Sequence, residues 1–251
     1  PLLKLELQAA APFTVVAHVV VQFHRTKLAE GAPPVKMTPP TRLGSKEFMD
    51  DGWPNDKARA WFTDWMKQHN LIRHGENDAD FAFRVLKFMQ GHFRYVIPDN
   101  IPEHRTMVEK NPEMGDWHYI MKTWSGECYR ISETYCRVMR MNGIPARLVS
   151  GNFITEQDGH HLRSLIYLEN TGWVPVEATS AVSSPKDPAL NFFGSWGGPM
   201  LVGNKNVGFK LQGPKDQTEI GTLDQIAFGS DDGKWNFPPA EIQATVLPAK
   251  K

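Results

Sequence analysis

Four short stretches in the middle of the chain decide its fold: WSGECYR at residues 124–130, GIPAR at 143–147, GHH at 159–161 and GWVPVE at 172–177. The first opens a pattern typical of a helix, and the later ones border runs of apolar and β-branched residues typical of strands. Cys128 therefore stands at the start of a predicted helix, with a histidine and a carboxylate on the strands that follow. Enzymes with a cysteine nucleophile use this set of side chains.

The predicted helix runs from about residue 126 to Asn142, because Asn142-Gly143 is a helix stop signal. A cysteine attacks as its thiolate, and an ordinary pKa near ~8.5 leaves only a minority of thiols ionised at neutral pH. The first turn of a helix stabilises an anion through its unpaired N–H groups and its partial positive charge. Cys128 is therefore a candidate nucleophile, whereas Cys136, two turns further along, is expected to be a buried packing residue.

Three strands are predicted after this helix, at residues 146–153, 161–168 and 173–177. If the last two pair as antiparallel neighbours, His161 and Glu177 come opposite each other. A histidine beside the sulfur acts as base and then as acid, and a carboxylate orients its ring. Without the cysteine, the same two residues would be read as members of an ordinary solvated hairpin.

The flanking regions carry weaker patterns. Helices are predicted at residues 56–70 and 78–93, the second with Asn77 or Asp78 as its N-cap. A short strand or extended segment is predicted at 95–98, and the stretch from there to Trp124 is predicted to be irregular. Residues 1–27 are predicted to form strands and residues 28–49 a connection rich in Pro and Gly. We therefore divide the chain into an N-terminal β part at 1–50 and a catalytic domain at 51–251, with further short strands at 199–202, 207–211 and 241–247.

Composition limits the classes of partner. Lys and Arg together number 28, as do Asp and Glu, so no net charge attracts nucleic acid. No apolar run approaches the ~18 residues of a membrane span, and the N-terminus lacks a signal-peptide pattern. Since the chain begins at Pro1, it is compatible with a trimmed mature form, which favours an extracytoplasmic location.

Taken together, the motifs resemble the core of the transglutaminase-like superfamily. That core has a Cys at a helix start, a Gly-Ile-Pro-Ala-Arg turn, a His opening a strand, and a Gly-Trp pair that leads to an acid and a threonine. The matching pieces are Gly126-x-Cys128, residues 143–147 followed by Gly151, His161, and residues 172–179. The resemblance covers about residues 57–180.

The resemblance implies an α+β fold of the papain-like type, in which the nucleophile helix packs on an antiparallel β-sheet. It also implies that Cys128 is the nucleophile, His161 the general base and acid, and Glu177 the orienting carboxylate. Candidates for substrate binding are Trp117, Trp124, His160 and Arg163. Three positions depart from the family pattern: Glu177 replaces the usual Asp, Arg163 replaces an aromatic residue, and Leu165 replaces an acidic one.

The expected function is acyl transfer from a peptide or amide carbonyl of a protein or peptide substrate, through a thioester and without a cofactor. Hydrolysis, as by a peptidase or amidase, is the first expectation, and protein-glutamine transglutaminase activity is the alternative. Two other classes stay open. One is a non-catalytic binding or scaffold module that keeps the fold, and the other is a zinc site built from Cys128, His160 and His161, although the usual four-ligand spacing is missing.

Overall fold

The computed structural model describes residues 46–49, 53, 55–97, 101–114, 116–153, 160–169, 171–195, 200–204, 209–212, 217–220, 228–229 and 235–236. The strands predicted at 1–27 and 241–247, and most of the predicted connection between 28 and 49, lie outside these residues. The division of the chain at residue 50 therefore stays a prediction.

Seven α-helices and one 3-10 helix are found in this described part of the chain. They are α1 (Lys46–Met49), α2 (Asp56–Gln68), α3 (Asp78–His92), α4 (Pro102–Lys110), α5 (Asp116–Thr123), α6 (Cys128–Met141), α7 (Ala178–Ser183) and the 3-10 helix Ala189–Phe192. The side chain of Asn77 accepts a hydrogen bond from the backbone N–H of Asp80, which confirms Asn77 as the N-cap of α3. The prediction of an irregular stretch before Trp124 is wrong, because α4 and α5 occupy it.

The described strands are β1 (Arg94–Tyr95), β2 (Ser125–Gly126), β3 (Ala146–Phe153), β4 (His160–Leu168), β5 (Gly172–Val176), β6 (Met200–Asn204), β7 (Phe209–Gln212), β8 (Gln217–Ile220), β9 (Phe228–Gly229) and β10 (Trp235–Asn236). Four of them form an antiparallel sheet in the order β5-β4-β3-β6. The three strands predicted after the helix that Cys128 opens are β3, β4 and β5, each within a residue of its predicted start and end.

Helix α6 packs on this sheet and forms the centre of the core. Its residues Ile131, Tyr135 and Met139 are fully buried and belong to one cluster with sheet residues such as Ile166 and Val176. The spacing of three and four residues between them puts these side chains on one face of the helix. The predicted α+β class, with the cysteine helix packed on an antiparallel sheet, is therefore confirmed.

Candidate active site

Cys128 is the first residue of α6, and its side chain is partly exposed. The backbone N–H of Ile131 donates to the carbonyl of Glu127, so the α-helical hydrogen bonds begin immediately around the sulfur. Gly126 makes this start possible. A Cβ at that position would lie 2.9 Å from the Cβ of Arg130, too close for two atoms fixed to the backbone.

Two serine hydrogen bonds fix α6 against β4. The hydroxyl of Ser132 donates to the carbonyl of Leu162 at 3.1 Å, and the hydroxyl of Ser164 donates to the carbonyl of Ser132 at 3.0 Å. Ser132 lies one turn after Cys128, and Leu162 is next to His161. Because both bonds are buried and run in opposite directions, they resist sliding of the helix along the strand, which keeps the sulfur at the level of the histidine.

His161 and Glu177 form a buried pair. The Nε2 atom of His161 lies 2.9 Å from Oε1 of Glu177, and the exposed fractions of the two residues are 8% and 1%. The last paired residues of β4 and β5 are Ser164 and Val176. Continuing that register puts Glu177 across from Arg163, with His161 on the diagonal, a distance that a long side chain can cross.

The His161 ring also has the Cys128 thiol as a partner. Burial by itself lowers the pKa of this histidine, but hydrogen bonds to Cys128 and Glu177, together with their charges, outweigh burial and raise the pKa to about 9. Since Nε2 faces Glu177, Nδ1 is the nitrogen that remains for the sulfur. A pKa this high favours a protonated His161 ring between the Cys128 sulfur and the Glu177 side chain.

Arg163 lies on the other side of the same carboxylate. Its Nε atom is 2.9 Å from Oε2 of Glu177, and the residue is 1% exposed. The contact is a close ion pair rather than an aligned hydrogen bond. Burial lowers the pKa of Arg163 and the charge of Glu177 opposes that change. A guanidinium at this depth faces Glu177, so its expected role in substrate binding gains no support.

The described contacts of Trp117 and Trp124 do not include the Cys128 sulfur. The Trp117 ring faces the guanidinium of Arg137 at 4.3 Å and packs beside Trp53. The Trp124 ring packs edge-on against His69 at 4.6 Å, on the side of α2 and α3. Their expected part in substrate binding stays a prediction, as does that of His160, whose side chain lies outside the described structure.

Tyr95 is a site residue that the sequence analysis missed. Strand β1 pairs in parallel with β2, and Tyr95 is the partner of Gly126, two residues before the cysteine. Burial raises the pKa of Tyr95, and the charges of Cys128 and Glu127 raise it further, so the phenol lies within electrostatic range of both groups. The residue is nevertheless 44% exposed.

The second cysteine is confirmed as a packing residue. Cys136 is fully buried, and that burial raises the pKa of its thiol to about 11 despite a nearby arginine. Within the described residues, histidines, cysteines and carboxylates do not gather in groups of three that could hold a metal ion. No helix of that part of the chain has the length and apolarity to cross a bilayer.

Comparisons with known proteins show what the segment that carries this site is similar to. Residues 66–178 match the model of the "Transglutaminase-like superfamily". No curated protein matches the chain. Among solved structures, the chain is similar to a "Putative Cysteine Protease" from Cytophaga hutchinsonii, with 13% identity, a TM-score of 0.40, and coverage of 64% of this chain and 49% of that one.

A second similar structure is the periplasmic domain of TgpA from Pseudomonas aeruginosa. The identity is 22% and the TM-score 0.36, with 53% of this chain and 44% of that chain covered. The chain thus spans about half the length of the solved structures it matches. The matched segment contains α3, α6, β4 and the residues Cys128, His161 and Glu177. Over residues 66–178, slightly less than half of its length, the chain is therefore similar to the transglutaminase-like superfamily.

Proposed function

We propose that the protein is a cysteine-dependent acyl-transfer enzyme that hydrolyses peptide or amide bonds through a thioester on Cys128. One observation carries the proposal: the hydrogen-bonded series of Cys128, His161 and Glu177 at the N-terminus of a buried helix. Each member has the property its role needs. The sulfur is partly exposed, the ring is held on both sides, and the carboxylate is buried.

In the first half-reaction, the Cys128 thiolate forms a bond to the carbonyl carbon of the substrate. The His161 imidazolium then gives its proton to the leaving nitrogen, the carbon–nitrogen bond breaks, and an amine departs from the thioester. Backbone N–H groups at the start of α6 and the Tyr95 hydroxyl are the donors that we propose for the developing oxyanion. After this step the His161 ring is neutral.

In the second half-reaction, the neutral His161 ring takes a proton from water as the water oxygen attacks the thioester carbon. The carbon–sulfur bond breaks, the sulfur leaves as a thiolate, and the imidazolium is restored. Access of water to the thioester is favoured by the partial exposure of Cys128 and by the exposed Tyr95 beside it. If a primary amine replaced the water, the product would be a new amide, which is the transglutaminase alternative.

The test is a tryptic casein digest incubated with the protein in heavy-oxygen water that also contains a fluorescent primary amine. Mass spectrometry separates the outcomes, since hydrolysis leaves heavy oxygen in a new carboxyl group and transamidation leaves the amine's mass on glutamine. We expect heavy-oxygen products from the wild type and from the matched control Cys136→Ala, and none from Cys128→Ala. Heavy-oxygen products from Cys128→Ala would refute the proposal. Amine adducts without heavy-oxygen products from the wild type would favour transglutaminase activity.

A scaffold role is separable from catalysis by the same experiment, since a module that only keeps the fold would form neither product in any variant. An extracytoplasmic location stays a prediction.

A further inference from the structure

The two unusual residues of the site, Arg163 and Glu177, touch each other. Both differ from the pattern of the transglutaminase-like superfamily. They form one buried ion pair, with 2.9 Å between Nε of Arg163 and Oε2 of Glu177. The carboxylate of Glu177 therefore has two cationic neighbours, His161 on Oε1 and Arg163 on Oε2. These neighbours differ in one respect, because the charge of a histidine changes during the reaction and that of an arginine does not.

That difference matters in the proposed cycle, on which the inference rests. While the His161 ring is an imidazolium, it balances the carboxylate by itself. Once the ring has given its proton to the leaving group, Glu177 would be a carboxylate that is 1% exposed, and Arg163 is the charged partner that the described residues still provide for it. An isolated buried charge is strongly unfavourable, and such a group gains a proton or moves instead.

We propose that Arg163 is a positioning residue that keeps the Glu177 carboxylate charged and fixed while the His161 ring is neutral. In this state the ring needs an oriented acceptor on Nε2, so that Nδ1 keeps its free electron pair directed at the proton of the incoming water. In this role Arg163 acts through its ion pair with Glu177.

Among the described residues, two titratable groups act on the pKa of the His161 ring: Cys128 at the start of α6 and Glu177 after β5. Arg163 of β4 contacts the other oxygen of the Glu177 carboxylate. Cys128 and Glu127 also act on Tyr95, whose pKa they raise in addition to burial. Glu127 is held by an ion pair with the arginine one turn along α6. Removal of the Arg163 charge therefore acts on the ring mainly through Glu177.

Removal of the Arg163 charge should raise the pKa of His161. A carboxylate that loses its permanent counter-ion holds the proton of its histidine partner more tightly, so the His–Glu pair keeps one proton to higher pH. We expect the titration midpoint of the His161 ring to rise by about one pH unit, a tenfold tighter proton, in Arg163→Met and Arg163→Gln. In Arg163→Lys the charge is kept, and the midpoint should stay near that of the wild type.

The experiment is an NMR titration of the histidine rings in folded protein, with the His161 signal assigned from the spectrum of His161→Gln. Arg147→Met is the matched control, because it removes an arginine from the neighbouring strand β3. The guanidinium carbon of Arg147 lies over the Trp173 ring, 4.1 Å from its centroid. Two charge-removing variants are used so that one failure to fold does not end the test. The folded state is checked for each by urea unfolding.

A rise of the midpoint in the Met or Gln variant, absent from the Lys and Arg147→Met variants, supports the proposal. An unchanged or lowered midpoint without the Arg163 charge would overturn it, and so would an equal rise in the Lys variant. The titration needs no turnover. If the wild type processes no peptide but its midpoint still depends on the Arg163 charge, the proposed function fails and the positioning role stands.

Discussion

Glu177→Gln removes the charge that links the His161 ring to Arg163 and nearly preserves the shape of the side chain. Two effects follow, and they differ in pH dependence. The first is that Arg163, 1% exposed, loses its carboxylate partner. Breaking a buried ion pair by removing one member costs about 3–5 kcal/mol, and this part of the loss in unfolding free energy is nearly independent of pH because arginine stays charged.

The second effect comes from the histidine. Burial lowers the pKa of His161, but its Cys128 and Glu177 partners raise it from 6.5 to about 9. At about 1.4 kcal/mol per pKa unit, that difference favours the folded imidazolium by about 3 kcal/mol, of which we assign roughly half to Glu177. Since the folded pKa exceeds the unfolded one, this contribution is complete below pH 6.5 and is lost as the pH rises through about 9.

We therefore expect Glu177→Gln to lose about 1–2 kcal/mol more unfolding free energy, relative to wild type, at pH ~6 than at pH ~10. The assay is urea unfolding of the wild type and the variant at both pH values. Subtracting the unfolding free energy of the variant from that of the wild type at each pH removes the contribution of groups that titrate alike in the two proteins. Glu169→Gln is the matched control, because Glu169 is exposed and follows β4 on the same hairpin. A loss no larger than that of the control, or one that grows towards high pH, would refute the reasoning.

Three other changes test the surroundings of the sulfur. In Gly126→Ala, the new Cβ would collide with that of Arg130, so we expect a stability loss of about 1–3 kcal/mol and a larger relative loss of turnover, measured by urea unfolding and casein-peptide cleavage. As a proposed donor to the oxyanion, the Tyr95 hydroxyl should contribute to turnover but not to folding, so Tyr95→Phe should lower kcat by about 10- to 100-fold with unchanged unfolding free energy; an unchanged kcat would exclude that role. Ser132→Ala should cost about 1 kcal/mol through the lost bond to the Leu162 carbonyl, and no loss in urea unfolding would show that the bond does not hold α6 on β4.

Much of the core could be predicted from the sequence because its signals are local. Asn77 and the apolar spacing after it predict α3, and the Asn142-Gly143 stop predicts the end of α6. The strand pattern likewise predicts β3 to β5. Helices α4 and α5 carry weaker signals: α4 has mostly charged and polar residues, and α5 has only eight residues. Their helical form depends on packing that no short window of sequence contains.

The site residues also divide into those that local sequence signals predict and those that depend on pairing between distant segments. The order of Cys128, His161 and Glu177 suffices to predict that they meet, because a helix start and a hairpin bring them together. The partner of Arg163 depends on the register of β4 with β5, and an arginine at a strand position is usually a solvated residue rather than a fully buried one. Tyr95 was missed because its neighbour, the start of α6, lies about thirty residues away and is reached through the parallel pairing of β1 with β2.

The central claim is that His161 holds Cys128 ready for attack, and the rate of alkylation of the folded protein by iodoacetamide tests it directly. At pH ~6, well below the ~8.5 of a free thiol, we expect the wild type to be labelled on Cys128 alone, because Cys136 is fully buried. His161→Gln should be labelled at least about tenfold more slowly, since the imidazolium that stabilises the thiolate is gone. Equal rates in the two proteins, read by mass spectrometry of the peptide that contains Cys128, would contradict the account.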